Sequence, residues 1–96
     1  MATKPKYGRK DNNQTEIVEG LRARGFSVEI TSNVADGFPD IVVGWNGRTY
    51  LMEIKSKGGK LTPEQIKWHD AWQGHKSVIY SAEEAIKIMM CDNPPF

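Results

Sequence analysis

The sequence has almost no cysteine and no long apolar run, and each absence excludes a class of protein. Cys91 is the single cysteine among the 96 residues, which rules out an internal disulfide and a zinc site made of several cysteines. No stretch of about 18 apolar residues is present, so no membrane-spanning helix is expected. The basic residues near the N-terminus are not followed by a hydrophobic run. We therefore predict no secretory signal and expect a cytoplasmic protein.

Several catalytic patterns are also missing. His69 and His75 do not form a His-x-x-x-His pair, so a zinc hydrolase is not expected. The Gly58-Gly59 pair lacks the rest of a phosphate-binding loop, and no serine has a base placed to complete a catalytic triad. The net charge of +1 is uninformative, but cations cluster at residues 4–10 and 55–60. Such clusters suit contacts with phosphate, although a solvated tail is an equal alternative for the first of them.

Apolar periodicity and turn signals predict one small domain that mixes helices and strands. Residues 1–10 are predicted to form a flexible basic segment, and residues 11–92 a single domain. The predicted order is αβββαβα, an α+β fold with a mixed central sheet flanked by helices. The elements are a helix at 12–24, strands at 26–30, 40–45 and 48–56, a helix at 63–73, a strand at 76–80 and a last helix ending near residue 90. Within it, Thr62 and Gln65 predict a capping box at the start of the second helix.

The most informative stretch surrounds the Asn46-Gly47 dipeptide. Asn-Gly between apolar runs predicts a hairpin with a two-residue I′ turn, because both residues tolerate positive φ. Such a turn places Asp40 directly opposite Glu53, with their Cβ atoms about 5 Å apart. Strand alternation places Lys55 on the same face as Glu53. Two acids and one lysine therefore meet at one spot.

This group of side chains predicts a divalent metal site. Two carboxylates select Mg²⁺ or Mn²⁺, and the backbone carbonyl of Ile54 could add a further oxygen ligand. Lys55 beside such a metal could orient water or stabilise the transition state of phosphodiester hydrolysis. The structural alternatives are that Asp40 is a turn residue after Pro39, and that Glu53 and Lys55 form an exposed ion pair of little energetic value.

Pro39-Asp40, thirteen positions before Glu53-Ile54-Lys55, resembles the PD-(D/E)xK nucleases. Within that superfamily the chain is most similar to the VRR-NUC (virus-type replication-repair nuclease) domains, in a phage-type stand-alone form that would act in the cytoplasm of a host cell. Two further stretches support the resemblance, which covers nearly the whole chain: residues 36–40, and residues 61–65 leading to Trp68.

The resemblance implies a restriction-endonuclease-like αβββαβ core and a set of site residues. Asp40 and Glu53 match the metal-binding acids, with the Ile54 carbonyl as a further ligand. Lys55 matches the catalytic lysine, and Gln65 matches a glutamine beside the site. Gln65 as a capping residue alone is an alternative, and the two roles are compatible.

The first helix departs from the family pattern, which places an acid there. Seven residues before Leu21 lies Gln14, on the face predicted to pack against the sheet, whereas Glu16 is about 200° around the helix and predicted to point elsewhere. An amide contributes no charge to a metal site. Weaker metal binding, or loss of a second metal position, is therefore expected.

The function predicted from the sequence is Mg²⁺- or Mn²⁺-dependent hydrolysis of DNA, selective for structures such as junctions or flaps. Candidate contacts with the DNA backbone are the basic residues Arg9, Lys10, Lys57 and Lys60. The resemblance also implies a homodimer, with Trp68 and Trp72 or the helix of Met89 and Met90 as candidate interfaces, and His69 is expected at the surface or an interface. The alternatives are a catalytically weak or inactive DNA-binding module and a small protein-interaction factor.

Overall fold

A computed structural model describes residues 5–92, with side chains described from residue 13 to residue 91. These residues form three helices and four strands, in the predicted order αβββαβα. They are α1 (Pro5–Ala23), β1 (Ser27–Ile30), β2 (Ile41–Trp45), β3 (Arg48–Ile54), α2 (Pro63–Ala71), β4 (Lys76–Ile79) and α3 (Ala82–Asp92). The strands form one sheet in the order β1-β2-β3-β4, antiparallel except for the parallel pair of β3 and β4. The predicted α+β class with a mixed sheet is confirmed.

The central hairpin has the predicted register. Trp45 pairs with Arg48 and Ile41 pairs with Met52. Asn46 has φ 56° and Gly47 has φ 77°, so both turn residues occupy the left-handed region that a I′ turn requires. Continued by one residue beyond Ile41, the same register places Asp40 opposite Glu53.

The two faces of the sheet have different roles. One face forms the hydrophobic core against α1 and α3 through the buried residues Ile17, Val18, Leu21, Phe26, Val28, Ile41, Val43, Tyr50, Met52, Ile54, Ile79, Ala85 and Met89. Because successive side chains of β3 point to opposite faces, Leu51, Glu53 and Lys55 lie on the other side. That second face is covered at the C-terminal end of β3 by α2. The chemistry-bearing residues are thus kept apart from the core.

The start of the first helix was wrongly predicted. α1 begins at Pro5 rather than near residue 12, and it runs across the predicted domain boundary at residue 10. Pro5 explains the difference, since proline is favoured at the first position of a helix. The side chains of Arg9 and Lys10 lie outside the described part, as do residues 1–4. No helix within residues 5–92 is both long enough and apolar enough to cross a membrane.

Candidate functional site

Asp40 is held at the edge of the hairpin by its backbone and by its side chain. Its carbonyl oxygen accepts a hydrogen bond from the Thr31 N–H at 2.7 Å, and the Thr31 hydroxyl donates to the carbonyl of Pro39 at 2.9 Å. Its carboxylate Oδ2 accepts a hydrogen bond from the backbone N–H of Ile54 at 2.9 Å. The carboxylate therefore takes the place of a ladder carbonyl where β2 pairing ends. With 4% exposure, Asp40 is buried.

Glu53 and Lys55 form an ion pair that is almost sealed from solvent. Lys55 Nζ lies 3.6 Å from Glu53 Oε2, and the side chains are 13% and 0% exposed, respectively. The exposed ion pair considered as an alternative is therefore not what the structure shows. Burial strengthens the attraction between these groups and raises the cost of losing either one.

Gln65 joins α2 to the buried glutamate. Its backbone N–H donates to the Thr62 hydroxyl at 3.2 Å, and its Oε1 accepts from the Thr62 N–H at 2.9 Å, which completes the predicted capping box. Its Nε2 donates to Glu53 Oε2 at 2.9 Å. One side chain thus caps the helix and contacts the site. The positive end of the α2 dipole lies beside Glu53, where it favours a carboxylate.

The loop that precedes Asp40 docks on the first turns of α2. Gly37 has φ +81°, and a Cβ at this position would lie 2.6 Å from the backbone oxygen of Glu64 and 3.2 Å from Cβ of Trp68. Any other residue would strain the backbone and collide with α2. Phe38 adds an edge-to-face contact with Trp68, with ring centroids 5.1 Å apart. The two sequence stretches on which the resemblance rests are therefore packed against each other.

Lys55 is anchored by two further elements. Its N–H donates to the carbonyl of Ile79 in β4 at 3.0 Å, and its carbonyl accepts from Nδ2 of Asn13 in α1 at 3.2 Å. Asn13 is not among the site residues predicted from the sequence. Asn13 lies four residues before buried Ile17, so the helical i, i+4 relation could have identified it.

The two candidates from the first helix differ in burial as their helix positions predicted. Gln14 is half-buried and Glu16 is exposed. Glu16 lines a cavity of about 290 Å³ between α1 and the start of α3, and neither Asp40 nor Glu53 lines that cavity. No group of three or more His, Cys, Asp or Glu residues is placed to hold a metal within the described part of the chain. A contribution of Gln14 or Glu16 to the site stays a prediction.

His69 is buried, so the surface or interface position expected from the sequence is wrong. The residue is 8% exposed and lies four residues after Gln65 on the inner side of α2. Burial lowers the pKa of its imidazole below the ordinary value of 6.5, and the positive charges of Lys76 and Lys55 lower it further, against an opposing effect of Asp70. The imidazole is therefore neutral at pH 7.

This lowered pKa predicts a specific loss of stability in acid. Below pH 6.5 an unfolded chain protonates His69, whereas the folded chain resists protonation until the pH falls through the lowered pKa. The neutral imidazole of His69 therefore makes its full contribution to the free energy of unfolding above pH 6.5, and this contribution declines below pH 6.5. Urea denaturation between pH 7.5 and pH 5 should show a smaller pH dependence for His69→Gln than for the wild type. His75→Gln, at an exposed histidine, is the matched control; parallel curves for wild type and His69→Gln would contradict the expectation.

The double role of Gln65 predicts a larger loss of stability than loss of the cap alone. Thr62→Ala removes one capping side chain and is expected to cost about 0.5–2 kcal/mol. Gln65→Ala also removes the amide that bonds the buried Glu53 carboxylate, so we expect a loss of about 1–3 kcal/mol beyond the capping term. The free energy of unfolding of both variants, measured with denaturant, checks this order. Equal losses would mean that the contact with Glu53 contributes nothing.

The donor chemistry of the site fits a small divalent cation. Asp40 and Glu53 offer two carboxylate groups on neighbouring strands, the oxygen donors that Mg²⁺ and Mn²⁺ select. The N–H and C=O of one strand residue point to the same side. Since the Ile54 N–H points to Asp40, its carbonyl oxygen lies on that side as well. Asp40, Glu53 and the carbonyl of Ile54 are therefore the groups that would hold such a cation.

Comparison with known proteins supports the same architecture. No protein-family model and no curated protein matches the chain. A solved structure titled "VRR_NUC domain" matches with a TM-score of 0.67 and 22% sequence identity, covering 90% of this chain and 97% of the other. The chain therefore shares the fold of that VRR_NUC domain.

Proposed function

We propose that the protein is a metal-dependent nuclease that hydrolyses DNA phosphodiester bonds. The observation that carries the proposal is the convergence of Asp40, Glu53, Lys55 and Gln65 at the end of β3, within a VRR_NUC fold. These side chains come from a loop, a strand and a helix, and each is fixed by contacts with the others or with the backbone. Such pre-arranged polar groups at a buried position are typical of active sites.

Each residue has a role that follows from its contacts. Asp40 and Glu53, with the carbonyl of Ile54, would hold Mg²⁺ or Mn²⁺, which lowers the pKa of bound water and neutralises charge on a phosphate. Lys55 places an ammonium beside the same carboxylate, where it can stabilise negative charge that develops on the phosphate. Gln65 orients the Glu53 carboxylate through its amide.

The surroundings suit a DNA backbone more than a particular sequence. Lys57 and Lys60 are exposed on the segment that follows Lys55. Contacts of lysine with phosphate position DNA without reading bases, and they weaken as salt rises. Because contacts of this kind do not read bases, we infer selectivity for branched or otherwise structured DNA. Arg9 and Lys10 stay predicted contacts.

A homodimer is part of this proposal. Ile66 on α2 is 47% exposed and Trp72, the C-cap of α2, is 39% exposed; Trp72 stacks on Trp68 with ring centroids 4.7 Å apart. A second copy could cover this apolar surface. Of the alternative pair on α3, Met89 is buried in the core and only Met90, at 43%, is exposed. The phage-type form and the cytoplasmic location stay predictions.

A DNA-binding module without efficient turnover is the second candidate. It is favoured by one observation: within the described residues, no third acid joins Asp40 and Glu53 in a metal-binding group. A site of two carboxylates holds a divalent ion less tightly than a site with three. The same DNA contacts would then serve binding alone.

One cleavage assay separates these functions. Purified protein is incubated with a four-way junction, a flap and a linear duplex of matched sequence, in Mg²⁺, Mn²⁺ or EDTA. The nuclease proposal expects cleavage that EDTA abolishes, and faster cleavage of branched than of linear DNA. Slower migration of the DNA without cleavage would favour the binding module, and neither effect would favour the protein-interaction factor.

A further inference from the structure

His69 is a buried polar side chain that the proposed function does not use. It is 8% exposed, and its Nε2 atom has no hydrogen-bond partner among the described residues. A buried polar atom without a partner costs about 1–3 kcal/mol, so native proteins rarely keep one without a reason. Such an atom beside a candidate active site calls for an explanation in terms of the site.

The helix geometry places His69 over the same face of the sheet as Glu53. Residues four apart on a helix lie on one side, so His69 follows Gln65 one turn further along α2. The amide of Gln65 contacts Glu53, which shows that this side of α2 faces the site. Lys55 reaches the same oxygen of Glu53, with its Nζ 3.6 Å from the Oε2 atom that the Gln65 amide bonds one helical turn before His69.

The ion pair of Lys55 and Glu53 lacks a direct hydrogen bond. The Nζ of Lys55 is 3.6 Å from Glu53 Oε2, longer than the usual hydrogen-bond range of about 2.7–3.2 Å. The Gln65 amide bonds that same oxygen at 2.9 Å. A divalent cation on Glu53 would repel the ammonium and compete with it for the carboxylate. A neutral acceptor could then hold the Lys55 ammonium without competing with Glu53 for the cation.

We propose that His69 is a positioning residue of this site, whose neutral Nε2 accepts a hydrogen bond from the Lys55 ammonium, directly or through one water, when Glu53 holds the metal. This inference rests on the proposed function. A neutral imidazole with its proton on Nδ1 offers one acceptor and no charge, so it can hold the ammonium without attracting the cation away from Asp40 and Glu53.

Three substitutions at His69 distinguish loss of the acceptor atom from a change in the shape of the side chain. His69→Gln can place an amide oxygen where Nε2 lies, His69→Asn reaches only the position of Nδ1, and His69→Phe keeps a ring without nitrogen. We expect His69→Phe and His69→Asn to lower the single-turnover cleavage rate at saturating metal about 10–100-fold, with unchanged KM for DNA. His69→Gln should retain most of the rate. Full activity of a folded His69→Phe, or equal losses in His69→Gln and His69→Phe at equal melting temperatures, would overturn the inference.

A measurement without DNA distinguishes this inference from the nuclease proposal. The ¹⁵N resonance of His69 Nε2 is recorded during titration with Mg²⁺, for wild type and for Lys55→Met. We expect an upfield shift in the wild type, because a new hydrogen bond reaches the nitrogen, and no such shift in Lys55→Met. If cleavage requires metal but the Nε2 resonance stays in place, His69 has no positioning role and the nuclease proposal survives. If neither cleavage nor metal binding occurs, both fail.

Discussion

Replacement of Asp40 with asparagine is expected to lower the DNA cleavage rate about 10²–10⁴-fold, the equivalent of several kcal/mol of transition-state stabilisation. Asparagine removes one of two carboxylates that would hold the metal. Its Oδ1 can still accept the hydrogen bond that Asp40 Oδ2 receives from the Ile54 N–H. It also relieves the repulsion between two buried acids. The melting temperature without metal should therefore stay the same or rise.

Asp40→Ala is the matched control for this prediction. Alanine removes the metal ligand and the acceptor together, which leaves a buried backbone N–H unsatisfied at a cost of about 1–3 kcal/mol. Both variants should lose cleavage, but only Asp40→Ala should lose stability. Calorimetry without metal and cleavage with Mn²⁺ test the two effects separately. A stable, fully active Asp40→Asn would remove Asp40 from the metal site.

Replacement of Lys55 with methionine is expected to destabilise the metal-free protein by about 3–5 kcal/mol, because it leaves the buried Glu53 carboxylate without its ammonium. For a domain of this size each kcal/mol corresponds to about 4–8 °C in melting temperature. The exposed neighbour Lys57→Met is the control and should melt like the wild type. Thermal denaturation at low and high salt measures the effect.

A double variant keeps this prediction testable if Lys55→Met is too unstable to purify. Glu53→Gln together with Lys55→Met removes both charges and should recover most of the lost stability, since a neutral amide needs no counter-ion. Mg²⁺ should stabilise Lys55→Met more than the wild type, because the cation can replace the missing ammonium next to Glu53. A double variant as unstable as the single one would show that Glu53 and Lys55 are not energetically coupled.

The fold was predictable where local chemistry determines structure. Asn46 and Gly47 determine the turn and with it the register, and that register, continued by one residue, places Asp40 opposite Glu53. Thr62 and Gln65 likewise predicted their own capping box. Both signals depend only on residues that are close together in the sequence. The start of α1 at Pro5 was not predicted, because among the described side chains the buried apolar residues of this helix begin only at Ile17.

The contacts of the site were predictable only in part, because they depend on tertiary packing. A sequence shows that Gln65 can cap a helix, but the orientation of α2 over the sheet decides that its amide also meets Glu53. The same orientation buries His69, whose polarity alone favoured the surface. Helix periodicity places Asn13 on the buried side of α1, but only the docking of α1 decides that its amide meets the carbonyl of Lys55.

The capping box at Thr62 and Gln65 couples opening of the first turn of α2 to the contacts of Glu53. When the first turn of α2 opens, the side-chain amide of Gln65 loses its bonds to the Thr62 N–H and to the Glu53 carboxylate together. The lifetime of a competent site is then limited by the lifetime of a single helical turn. In the proposed nuclease, the site would be assembled only for the fraction of time in which this first turn stays closed.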